Sequence, residues 1–116
     1  MNLTLRKKAL KEGFTQVCSL RKNGGKSVDP LLDYALKNNL LVTIDRSSLF
    51  GNPFILGKDG DRETVIEKYR QYLKENRHLV RKARAELQGK VLGCWCYPLP
   101  CHGDILAKIC NYRKED

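Results

Sequence analysis

The residues richest in chemistry lie near the C-terminus, in Cys94-Trp95-Cys96-Tyr97-Pro98-Leu99-Pro100-Cys101-His102-Gly103-Asp104. Three sulfurs and one imidazole make a tetrahedral zinc set, so Cys94, Cys96, Cys101 and His102 are candidate metal ligands. Zinc is the expected ion, ahead of an iron–sulfur cluster. The spacing is not that of the common zinc fingers, and adjacent Cys101 and His102 would strain a backbone that delivers both to one ion. A second chemistry fits the same residues. A helix N-terminus lowers a thiol pKa and offers N–H groups to an anion. On that reading Cys101 is a reactive thiol and His102 stands beside it to act on a substrate. Asp104 then orients His102 or favours the helix start. A third reading is structural: buried, inert cysteines flank a core Trp95.

A second polar cluster is Asp45-Arg46-Ser47-Ser48-Leu49-Phe50-Gly51-Asn52-Pro53-Phe54. Arg46 supplies a planar cation, and Ser47, Ser48 and Asn52 supply neutral donors and acceptors. Gly51 permits a close backbone approach. The mixture suits a phosphate, a carboxylate or a ribose, but it lacks the glycine pattern of a P-loop or a dinucleotide fingerprint. Taken alone, the same residues also make an ordinary turn in which Ser and Asn satisfy backbone groups.

The elements that would position these clusters follow from patterning. Residues 14–20 are rich in β-formers and read as a first strand. Residues 21–26 are loop by composition. Asp29 and Pro30 suit the cap and first position of a helix, which Asn38-Asn39 ends. Residues 40–44 form a continuous apolar run, as in a strand buried on both faces. Residues 45–60 are loop. Asp61 caps a helical stretch that runs to Gly89, with a break or recapping expected at Asn76. Residues 90–96 read as a third strand, on which Cys94 and Cys96 would share a face. Residues 104–110 form a last short helix. Strand, helix, strand, helices, strand, helix implies an α/β layer fold: a mainly parallel sheet of at least three strands, flanked by helices. Residues 1–13 read as a basic arm or helix, and residues 14–116 as one α/β domain.

Ligands of open α/β sheets bind beyond the carboxyl ends of the strands. Arg21 follows the first strand, Arg46 to Asn52 follow the second, and Cys94 to His102 follow the third. Parallel strands would put all three loops at one edge, and Arg62, opening the next helix, would reach the same place. Arg21, Arg46, Ser47, Ser48, Gly51, Asn52 and Arg62 are therefore the candidate ligand-binding residues.

The chain of 116 residues carries a formal charge of +9. Residues 1–26 hold +6 of it and residues 61–90 hold +4, whereas residues 91–116 are neutral. A basic surface attracts phosphates, so nucleotides and nucleic acid are candidate partners. Five cysteines without an apolar leader argue against a disulfide framework and for a reducing cytoplasm. No apolar stretch is long enough to span a bilayer, so a membrane partner is not expected.

At these residues the chain resembles the domain of unknown function 4326 family of small bacterial and phage proteins. Its pattern is an Arg-Ser-type loop with Gly-Asn-Pro-Phe, a Gly-x-Arg helix start, and a Gly-Cys-aromatic-Cys-x-Pro-x-x-Cys-His-Gly-Asp segment. Here these are Arg46, Gly51 to Phe54, Gly60 to Arg62, and Gly93 to Asp104. The resemblance covers roughly residues 14–109. The link at residues 22–39 is longer than usual in the family, and the basic N-terminal arm is extra. The resemblance implies one pocket built from both motifs and a bacterial or phage-infected setting, and it brings no reaction.

Three functions follow. The favoured one is a nucleotide- or phosphate-ligand-binding domain, with or without catalysis by the Cys/His cluster or a metal it holds. The second is a non-enzymatic, zinc-stabilised nucleic-acid-binding module. The third is a phage-encoded interaction protein that blocks a host factor.

Overall fold

The structure is a computed structural model that describes residues 2–112. Its elements run α1 (Leu3–Lys11), β1 (Gln16–Ser19), β2 (Lys22–Asn23), β3 (Lys26–Ser27), α2 (Pro30–Lys37), β4 (Leu41–Thr43), α3 (Arg62–Glu75), α4 (Arg77–Glu86), β5 (Val91–Cys94) and α5 (His102–Asn111). β1, β5 and β4 form a parallel sheet in that order, with Val17 and Val42 both in register with Leu92. Side chains alternate across a strand, and that alternation sets the layers. Val17 and Leu92 enter one core with residues of α3, α4 and α5. Their neighbours Cys18 and Val91 enter a second core with Leu10 of α1 and Leu31, Leu32 and Ala35 of α2. The result is a small α/β domain with a mainly parallel sheet between two helical layers.

The helix boundaries follow local chemistry. Asp29 accepts from the Leu31 N–H at 3.0 Å, and Pro30 opens α2. Asp61 accepts from the Thr64 N–H at 2.8 Å and starts α3. Asn76, at φ −123° and ψ 68°, leaves helical geometry and separates α3 from α4. Its side chain donates to the Tyr72 carbonyl at 2.7 Å.

Three local expectations are corrected. Residues 21–26 are not plain loop: β2 and β3 pair antiparallel around Gly24-Gly25, whose positive φ values, 59° and 81°, suit a tight hairpin turn. β4 is an edge strand and not a fully buried one. Leu41 and Val42 are half-buried and Thr43 is exposed, because β5 takes the centre of the sheet. The third strand stops at Cys94, so Cys96 does not share a strand face with it. It lies in the turn that follows, where its carbonyl accepts from the Leu99 N–H at 2.8 Å.

The basic N-terminal segment is helical as α1, and a buried ion pair ties it down. The Arg6 guanidinium donates to both Asp29 carboxylate oxygens at 2.9 Å and to the Val17 carbonyl at 2.9 Å. Asp29 also accepts from the Ser19 N–H at 3.2 Å. Burial alone would raise the Asp29 carboxyl, but the Arg6 guanidinium and these N–H groups hold it below its ordinary value. One carboxylate thus fixes the end of β1, the start of α2 and the position of α1.

Candidate functional site

Two of the loops that leave the carboxyl ends of the sheet enclose a cleft of about 290 Å³. The loop after β4 brings Asp45, Arg46, Asn52, Phe54 and Leu56 to it. The first turns of α3 bring Arg62, Val65 and Ile66. The turn after β5 and the start of α5 bring Cys94, Trp95, Cys96, Pro100, Cys101 and His102. The cleft is mostly apolar, with two arginines at its polar side. Arg46 is exposed, and its side chain makes no hydrogen bond or ion pair among the described residues. Arg62 is half-buried and donates to the Pro100 carbonyl at 3.2 Å, which joins α3 to the turn after β5. Asp45 is the carboxylate in the lining, and it is engaged by the Ser47 N–H at 3.0 Å and by the Ser47 hydroxyl.

The other polar residues of the Arg46 loop shape the wall. The Asn52 side chain accepts from the Phe54 N–H at 3.0 Å and donates to the Val65 carbonyl at 3.2 Å. It therefore holds the loop against α3. The Ser48 hydroxyl accepts from the Phe50 N–H at 3.2 Å. Gly51 packs against the Asp45 carbonyl, and a Cβ there would also lie 2.8 Å from the Arg46 Cα, so the loop closes only around glycine. Tyr69, fully buried in α3, donates to the Phe50 carbonyl at 2.7 Å. The Arg21 Nε donates to the Trp95 carbonyl at 2.7 Å and braces the turn after β5 from outside the cleft. Arg21 stays out because the chain after β1 turns to the α1–α2 layer, whereas the chain after β4 and β5 turns to the other.

The start of α5 faces the end of β5. The Cys94 and Cys101 sulfurs lie 3.0 Å apart and both are buried. Such thiols titrate as a pair. The Cys101 S–H stabilises a Cys94 thiolate and lowers its pKa against the effect of burial. The same contact, with burial, raises that of Cys101. The His102 Nε2 stands 2.6 Å from the Ile44 carbonyl, which can only accept, so Nε2 carries the proton. Burial lowers the His102 pKa, so the ring is neutral and Nδ1 keeps its lone pair. Its ring meets Tyr69 edge-on at 5.1 Å. Asp104 does not line the cleft: its carboxylate accepts from the Cys101 N–H at 3.0 Å and caps α5. Gly103 lets α5 approach the sheet, since a Cβ would lie 2.8 Å from the Ile44 Cδ1 and 3.2 Å from the Cys101 sulfur.

The structure brings Arg46, Asn52, Arg62, Cys94, Cys96, Cys101 and His102 to one cleft. Ser47, Ser48, Gly51 and Asp104 act one step behind it. Among the described residues no three His, Cys, Asp or Glu side chains form a metal-holding group. Cys94 and Cys101 meet, but Nε2 of His102 is already occupied by a carbonyl. Trp95 is not a core residue. It is 54% exposed and stands at the cleft, as the strand ends one residue before it. The apolar wall of Phe54, Leu56, Val65 and Ile66 escaped sequence reasoning. Val65 and Ile66 fall in the helical stretch that follows Asp61, and Phe54 and Leu56 in the loop of residues 45–60, with no pattern that marks them as a wall.

The family described as Domain of unknown function (DUF4326) matches residues 34–112, which span the Arg46 loop, α3 and the whole of the Cys94–His102 segment. A protein of enterobacteria phage T4, described as an uncharacterised 12.4 kDa protein in the nrdA-td intergenic region, is 42% identical over 84 residues. That alignment covers 69% of this chain and 76% of the phage protein. No solved structure matches.

Proposed function

The chain belongs to the DUF4326 family, a domain of unknown function, and from that premise we propose that its cleft binds a nucleotide or a related small molecule bearing a phosphate. One observation carries the reading. An unpaired arginine, Arg46, and an exposed tryptophan, Trp95, line one largely apolar cleft beyond the carboxyl ends of parallel strands. That is where open α/β sheets receive ligands. An apolar wall with a few convergent polar groups suits a base or other flat ring, and arginine suits a phosphate. Arg46 and Arg62 hold the anion, Trp95 and Phe54 cover the ring, and Asn52 with Gly51 fixes the loop that carries Arg46. Cys94, Cys101 and His102 are the groups available to act on a bound ligand. The phage relative supports a setting in the cytoplasm of a bacterium or of a phage-infected cell.

Trp95 is the single tryptophan, so its fluorescence reports on the cleft alone. Titration with AMP, ADP, ATP, ADP-ribose and inorganic phosphate is expected to change that fluorescence, with matching heat by calorimetry. Arg46→Ala removes no internal bond, so its effect reads ligand contact directly. A charge-assisted hydrogen bond is worth about 1.5–3 kcal/mol, so the variant is expected to bind roughly 10- to 100-fold more weakly. No response to any of these compounds at millimolar concentration would overturn the reading.

A further inference from the structure

A second concavity lies at the other end of the helical layer, between α3, α4 and α5, with a volume of about 340 Å³. Among the described residues five cationic side chains line it, Arg70, Lys74, Arg77, Arg84 and Lys108, and no carboxylate does. Glu67, outside the groove, pairs with Arg70 at 3.0 Å, and the Gln71 amide and the Arg70 guanidinium hold its carboxyl below its ordinary value. Glu86 is taken by Lys82 at 3.1 Å. Arg77, Arg84 and Lys108 form no ion pair among the described residues. Helix dipoles explain some of this charge, because Lys74, Arg84 and Lys108 sit in the last turns of their helices. They do not explain Arg77, which opens α4 where a cation is disfavoured. The floor between the cations is apolar, from Leu73, Val80, Ile105 and Ile109. At the rim the Tyr112 ring is 61% exposed, with the Arg84 guanidinium 5.9 Å from its centroid.

We propose that this groove binds single-stranded nucleic acid, with Arg77, Arg84 and Lys108 on phosphates and Tyr112 stacked on a base. Single strands are held by a positively charged groove that tracks the backbone and by aromatic rings that take base faces. An acidic patch on a protein would meet the same cations but would leave the exposed ring without a π partner. A duplex is read by an element that enters a groove of the DNA, and this surface is itself concave. The site is independent of the Arg46 cleft.

The test is fluorescence anisotropy with a labelled oligothymidine of about 20 nucleotides, longer than most single-strand sites need. A duplex of equal length and polyglutamate serve as competitors. Arg77→Gln/Arg84→Gln/Lys108→Gln is compared with Lys8→Gln/Lys11→Gln/Lys37→Gln, which removes equal charge from the opposite helical layer. The groove variant is expected to bind roughly tenfold or more weakly at low salt, and its slope of log affinity against log salt to fall by about 2, from about 0.7 per phosphate contact. The control triple is expected to change the slope little. Tyr112→Ala is expected to weaken binding by roughly tenfold with the slope unchanged. Circular dichroism confirms that each variant folds. The proposal is overturned by any of four results: no binding at low salt, equal losses in both triples, stronger competition by duplex or polyglutamate than by unlabelled oligothymidine, or loss of binding on Arg46→Ala. The last would place the strand in the cleft, whereas failure of nucleotide titration at Trp95 would leave the groove untouched.

Discussion

Asn52 separates ligand contact from loop positioning. Residue type alone makes it a candidate ligand group, but both ends of its amide are used inside the protein. Oδ1 accepts from the Phe54 N–H at 3.0 Å, and Nδ2 donates to the Val65 carbonyl at 3.2 Å. Each such bond contributes about 1 kcal/mol net when partly buried, so Asn52→Ala is expected to cost about 2 kcal/mol of folding stability. For a chain of this length that is a fall in Tm of about 8 °C, at about 4 °C per kcal/mol. A domain with about 5–15 kcal/mol of stability survives it. Asn52→Asp keeps the acceptor for Phe54 but turns a carboxylate oxygen towards the Val65 carbonyl. It is therefore expected to be no more stable than Asn52→Ala. Urea unfolding followed by circular dichroism measures both, and Trp95 fluorescence reports the cleft in parallel. Should Asn52→Ala unfold within about 0.5 kcal/mol of the wild type, the loop is not held by this amide and the reasoning fails.

Further outcomes follow from the same contacts. Arg6→Met removes one partner of a buried, bidentate pair and is expected to cost about 3–5 kcal/mol by urea unfolding. The Asp29 carboxyl is lowered in the folded protein, so its contribution is present above its unfolded pKa of about 3.9 and is lost as pH falls through the folded value. Asp29→Asn is therefore expected to be less stable at pH 6 and to show a flatter acid limb between pH 5 and 2. Cys101→Ala removes the S–H that stabilises the Cys94 thiolate, so the ultraviolet thiolate signal is expected to titrate at higher pH than in the wild type. An unchanged titration would mean that the two sulfurs do not share a proton. Gly51→Ala would set a methyl against the Asp45 carbonyl and the Arg46 Cα. It is expected to cost about 1–3 kcal/mol and to weaken nucleotide binding through Arg46, whereas a gain in stability would show that the loop has room.

Most helix and strand positions, and the edge of the sheet that carries the site, were legible in the sequence. Local signals suffice there, because capping at Asp29 and Asp61 and the β-forming composition of residues 14–20 act over a few neighbours. The Gly24-Gly25 hairpin was also within reach of that logic, but charged flanking residues hid it. Strand order, and which side chains face the cleft, came from long-range packing. β5 takes the centre although it comes last in the chain, and that choice makes residues 41–43 an edge and ends the strand before Trp95. It also sends the chain after β1 to the opposite layer, so Arg21 braces the turn from behind. Cysteine and histidine types suggested a metal set, and Asp104 an orienting partner for His102 or a helix start, but type does not fix direction. Packing brings Cys94 to Cys101, gives the His102 Nε2 to the Ile44 carbonyl and uses Asp104 as a cap. Those contacts join residues up to 58 positions apart, and no local pattern encodes a pairing over that distance.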